Sequence, residues 1–151
     1  MSSHASSSQA AAASLGRPAD LIMLGTLLVY SAAALAIGSY YGSPGLAAGI
    51  SLLLLLVGGA VFSGSAGSGL SRNVLALCLS AAVALHIHLG RGTLEFHFGV
   101  FVTLALLLVY LDWRPIVFAA ALFAVHHVLF DRLQAAGFGF YCATEANFAR
   151  I

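Results

Sequence analysis

The chain has 151 residues, 61% hydrophobic and 7% charged, with a mean hydropathy of +1.01. Soluble domains carry about 25% charged residues, so this chain cannot cover a globule with polar surface and its solvent is largely lipid. Six basic residues, all arginine, against five acidic ones leave a net charge of +1, which excludes the basic patch that nucleic-acid binding requires.

In chain order, the first segment is MSSHASSSQAAAASLG, small and polar, without the basic and apolar regions of a signal peptide. A disordered leader over 1–16 is expected, with His4 an ordinary tail residue. A spanning helix needs about 20 mostly apolar residues. Five runs meet that need, at about 19–39, 44–62, 70–89, 93–112 and 115–135. Pro44 and Pro115 fall in first turns, where a missing N–H costs little. SGSAGSG separates the second run from the third, and DWRP connects the fourth tightly to the fifth. Tyr110 and Trp113 suit a membrane interface.

The predicted fold class is all-α, an integral membrane bundle of about five transmembrane helices over 17–136. Short loops make neighbouring helices antiparallel, in up-down order. A polar C-terminal segment over 137–151 has the character of an approach to a sixth helix. An odd number of spans puts the termini on opposite sides. Arg17, Arg72 and Arg114 would lie on one side and Arg91, Arg132 and Arg150 on the other, so charge does not choose an orientation. The lack of a signal peptide favours a cytoplasmic N-terminus. Of the two cysteines, Cys78 reads as a small apolar helix residue. Cys142 follows the last apolar run, and its role is left open. No CxxC or CxxCH spacing occurs.

Polar side chains are concentrated in ALHIHLGRGTLEFHFGVF, residues 84–101, and in AVHHVLF, residues 124–130. Folding the spans as hairpins gathers His86, His88, His97, His126 and His127 in one layer, because their distances from the connecting turns differ by about one helical turn. That layer lies toward the side opposite the N-terminus. Arg91, Glu95, Asp131 and Arg132 fall at its rim. His86 and His88 point about 200° apart on a helix, so they cannot share one small site. His126 and His127 are about 100° apart and could address neighbouring sites.

Ionisable groups in a membrane are expensive and point to function, and neutral imidazole is the commonest metal ligand. The leading reading is one or two b-type haems with bis-histidine ligation, walled by Phe96, Phe98, Phe101, Phe123 and Phe130, in a redox or gas sensor input. His97, His126 and His127 are the first ligand candidates, then His88, then His86. A copper or zinc sensor using His97, His126, His127 and His88 is the first alternative. A small cytochrome exchanging electrons with quinone is the second, and a packing or dimerisation module without cofactor the third. Glu95, Arg91 and Asp131 are candidates for orienting ligand N–H groups. No enzyme is expected, since no serine–histidine–carboxylate set, phosphate loop or HExxH motif is present.

His86-x-His88, Glu95-x-His97-Phe98, Phe101, Tyr110-x-Asp112-Trp113-Arg114-Pro115, His126-His127 and Tyr141-Cys142 together resemble the N-terminal membrane module of bacterial methyl-accepting chemotaxis proteins, diguanylate cyclases and histidine kinases. The resemblance covers about residues 84–150, and the first two helices match only in hydropathy. It implies an input domain in the bacterial inner membrane that senses at the periplasmic face. Implied partners are the lipid bilayer, a second copy in a homodimer and, in longer relatives, a cytoplasmic signalling output domain. Such modules usually run through a sixth helix into a HAMP, methyl-accepting or GGDEF region; none of these is present, so no output activity is implied for this chain.

Overall fold

The computed structural model describes the backbone of residues 2–144 and the side chains of residues 15–144. The side chains of nearly all the expected polar leader, and the expected approach to a sixth helix beyond residue 144, lie outside those described. Five helices follow one another: α1 Ser2–Tyr40, α2 Pro44–Ser65, α3 Gly69–Leu89, α4 Leu94–Leu107 and α5 Trp113–Ala135. A 3₁₀ turn, Leu108–Tyr110, continues α4. The protein is an all-α helical membrane bundle. Four stretches are long and apolar enough to cross a bilayer: Leu15–Tyr40, Pro44–Ser65, Gly69–Leu89 and Trp113–Ala135.

The fourth expected span is shorter than the sequence implied, at Leu94–Tyr110. Its length is about 27 Å, just under a hydrocarbon core of about 30 Å. It ends because Leu111 takes a left-handed conformation, φ 51°. Asp112 then caps α5, its side chain accepting a hydrogen bond from the Arg114 N–H at 3.0 Å. An apolar run says nothing of that break, since leucine is a good helix former.

Helix α3 is the central stave and packs against each of the other four helices. Within the spanning windows, 61% of α3 is buried against protein, compared with 28% in α1, 17% in α2 and 22% in α5. Leu75, Leu79, Val83 and Ile87 bury completely along α3, at the three-to-four spacing of a helical stripe. The outer helices turn Leu28, Val29, Leu52, Leu53, Phe101, Val117 and Val125 outward. In water this would be an aggregation surface; in lipid it is the solvated surface.

The two ends of the bundle differ. At the end holding the start of α3, the fully buried Asp20 accepts hydrogen bonds from the Tyr110 hydroxyl at 2.8 Å and the Gly67 N–H at 2.7 Å. Arg72 pairs with Asp112 at 3.4 Å beside them. These contacts tie α1, the α2–α3 turn, the end of α4 and the start of α5. The opposite end holds the histidines and is closed by the chain after α5. There Phe138 N–H bonds to Leu133 O and Gly137 N–H to Gln134 O, a Schellman ending that turns the chain sharply. The return segment 137–144 then runs back across the bundle to Gly92. Gly92 has φ 74°, and a Cβ there would lie 2.5 Å from the Ala143 carbonyl carbon, so only glycine fits on both counts.

Candidate metal centre

His97 sits in the first turns of α4, His127 on the inner side of α5, and Cys142 on the return segment. One donor atom from each lies within 4.8 Å of the other two. The His97 and His127 rings stack at 5.3 Å with 13° between their planes. Nδ1 of His127 is 3.2 Å from Sγ of Cys142. Tetrahedral zinc, with Zn–S near 2.3 Å and Zn–N near 2.0–2.1 Å, separates its sulfur and nitrogen ligands by about 3.5 Å. The cluster is therefore at the scale of a coordination sphere, although the stacked His97 and His127 rings would have to turn for both to aim a nitrogen at one ion.

The surroundings fit the role. His97 Nδ1 lies 3.1 Å from the Thr93 carbonyl oxygen. Donating there places the proton on Nδ1 and leaves Nε2 with a free lone pair, the arrangement by which metal-binding histidines are usually oriented. Cys142 is positioned by Gln134 of α5. The amide oxygen of Gln134 accepts from the Cys142 N–H at 2.8 Å and the Ala143 N–H at 3.2 Å, and its Nε2 donates to the Ala143 carbonyl at 2.7 Å. One side chain thus satisfies three backbone groups of a segment that has no helix or sheet to do so. Burial, with a smaller contribution from the Asp131 carboxylate, pushes the Cys142 thiol up to about 11. The metal-free thiol is neutral at physiological pH, and an ion must displace its proton.

The other expected residues are dispersed. His86 faces α1, its buried Nε2 2.8 Å from the Tyr30 carbonyl and its ring edge-on to Tyr30. His88, nearly opposite on α3, accepts at Nδ1 from the Tyr141 N–H at 3.2 Å and lies beside Phe140. His126 is buried and packs on Phe130 at 4.2 Å, its ring edge-on to His127. Asp131 is buried near Cys142, whereas Glu95 is exposed. Exposed Arg91 lies over the Tyr41 ring at 5.7 Å. Phe98 and Phe101 are outward-facing and wall nothing inside the bundle.

Sequence reasoning left Cys142 without a role and did not single out Gln134. The signal was faint: a cysteine fifteen residues beyond His127, and an amide at the end of an apolar helix. Neither reveals that the chain doubles back.

No family model, curated protein or solved structure matches the chain. The metal-binding part of the functional reading therefore rests on the geometry of the site.

Proposed function

We propose that this chain is the metal-sensing input module of a membrane signalling protein, binding a copper or zinc ion through His97, His127 and Cys142. The observation that carries the reading is the convergence of those three donors within 4.8 Å. Two imidazoles and a thiolate are borderline-to-soft donors, suited to copper and zinc and unsuited to magnesium or calcium, which take oxygen ligands. A b-type haem on this histidine pair is less well served. Its imidazoles would meet tip to tip across the iron, whereas these rings lie face to face.

Sensing follows from where the ligands come from. They belong to α4, to α5 and to the return segment, so an ion would tie three separate parts of one bundle end together and favour that arrangement by its binding energy. Three protein ligands leave one position for water or an exogenous ligand, the open form of such sites. By the resemblance noted above, the module lies in the bacterial inner membrane with the site toward the periplasm.

The test is metal content. The chain, purified in detergent and dialysed against limiting zinc or copper, is expected to retain one ion per chain by elemental analysis. A Soret band with haem extracted in stoichiometric amount, or no retained metal, would overturn the reading.

A further inference from the structure

Beside the metal site, a cavity of about 340 Å³ opens between α2 and α5 with α3 as its floor. It lies within the usual volume of small-molecule sites, about 300–1,000 Å³. Leu46 and Ile50 of α2, Ala81, Ala84 and His88 of α3, and His126 of α5 line it. Phe130 and Phe140, whose rings meet at 5.2 Å, close one end. Leu46 and Phe140 are exposed at the rim, so the cavity opens on the outer surface of the bundle, near the end of the spans, where an apolar ligand in the bilayer could enter.

Two polar groups stand out on this apolar wall. His126 is 8% exposed, and its buried Nε2 has no hydrogen-bond partner among the described residues. An unsatisfied buried nitrogen is costly, and native proteins rarely tolerate one without a partner. His88 accepts from Tyr141 N–H at Nδ1, so its neutral ring carries the proton on Nε2 and offers a donor. A second recess of about 170 Å³ shares Ala81, Ala84 and His126 with the first and is also lined by Ser80. The Ser80 hydroxyl is likewise buried without a partner among the described residues. An acyl chain would fill the volume and leave all these groups unsatisfied.

We infer that this cavity binds the head group of a lipid-borne quinone. Such a ligand is a flat apolar ring that fits against phenylalanines, bears carbonyl oxygens that accept from His126 and His88, and reaches the opening through the bilayer. The site is separate from the His97–His127–Cys142 cluster and does not depend on what that cluster holds.

The full chain in detergent is titrated calorimetrically with decylubiquinone and, in parallel, with decylbenzene, which has a ring and tail but no carbonyl. One decylubiquinone per chain is expected, with decylbenzene at least about tenfold weaker, the worth of one good hydrogen bond. His126→Leu should remove a large part of the difference between decylubiquinone and decylbenzene, with the remainder resting on His88, and His126→Gln, which keeps a donor, should restore part of what is lost. Ala84→Leu should block both compounds while leaving the helical circular-dichroism signal and the thermal unfolding in detergent unchanged, which shows that the fold persists. No saturable quinone binding, equal binding of the two compounds, or quinone affinity unaltered in His126→Leu would each overturn the inference.

Discussion

The sulfur of Cys142 lies 3.2 Å from Nδ1 of His127, although fifteen residues and a sharp reversal of the chain separate them. A thiol and an imidazole at that distance, with a second imidazole stacked alongside, are donors of the kind that could hold a metal ion. Two backbone features and one side chain hold Cys142 there: the Schellman ending of α5, the glycine at position 92 and the Gln134 amide.

Cys142→Ser should therefore weaken zinc binding by roughly a hundredfold, since a hard, protonated hydroxyl replaces the thiolate. Competition with a chromogenic chelator measures this. Affinity within about twofold of the parent would remove Cys142 from the ligand set.

Gln134→Leu keeps the volume and deletes the clamp. A tenfold to hundredfold loss of zinc affinity is expected, the range typical when a ligand loses its support. Hydrogen exchange at Cys142 and Ala143 should speed up in the same variant, because both N–H groups lose their acceptor. Gln134→Glu keeps the acceptor oxygen and should retain the slower exchange.

Metal uptake should release a proton from Cys142. Burial and Asp131 hold the thiol near 11, so the metal-free sulfur is protonated across the neutral range. Affinity is expected to rise with pH, with the thiol contributing about tenfold per unit below that value. Titrations between about pH 7 and 9 check this; the slope should fall by about one proton in Cys142→Ser.

Gly92→Ala should cost roughly 3 kcal/mol and displace the return segment. It forces an alanine to positive φ, a penalty of about 1–2 kcal/mol, and drives a methyl group against Ala143. Gly42 has φ 82° but nothing within 4 Å of an added Cβ. Gly42→Ala should thus cost only about 1 kcal/mol and leave zinc affinity unchanged. Thermal unfolding in detergent, with and without zinc, separates the two.

Much of the fold is legible in the sequence because lipid imposes it: long apolar runs have few structures open to them other than helices. Counting residues from the turns brings His97 and the His126–His127 pair to a common depth, and the structure stacks His97 on His127. The opposed directions of His86 and His88 also follow from helix geometry alone, one ring turned to Tyr30 and the other to Tyr141. What the pattern does not carry is long-range and irregular. The left-handed Leu111 shortens α4 without any proline or glycine to announce it. Asp20, buried at the far end, is satisfied by Tyr110 ninety residues away. Cys142 reaches the site through a non-helical segment held by the Schellman ending of α5, the Gln134 amide and Gly92. Periodicity reports on helices, and this site is completed by a piece of chain that is not one.

The most direct test of the centre is X-ray absorption at the zinc edge of the zinc-loaded chain, alongside Cys142→Ser. The His97–His127–Cys142 site requires one sulfur near 2.3 Å and nitrogens near 2.0–2.1 Å, with the sulfur absent in the variant. A shell of nitrogen and oxygen alone in the parent chain, or an unchanged sulfur signal in Cys142→Ser, would contradict it.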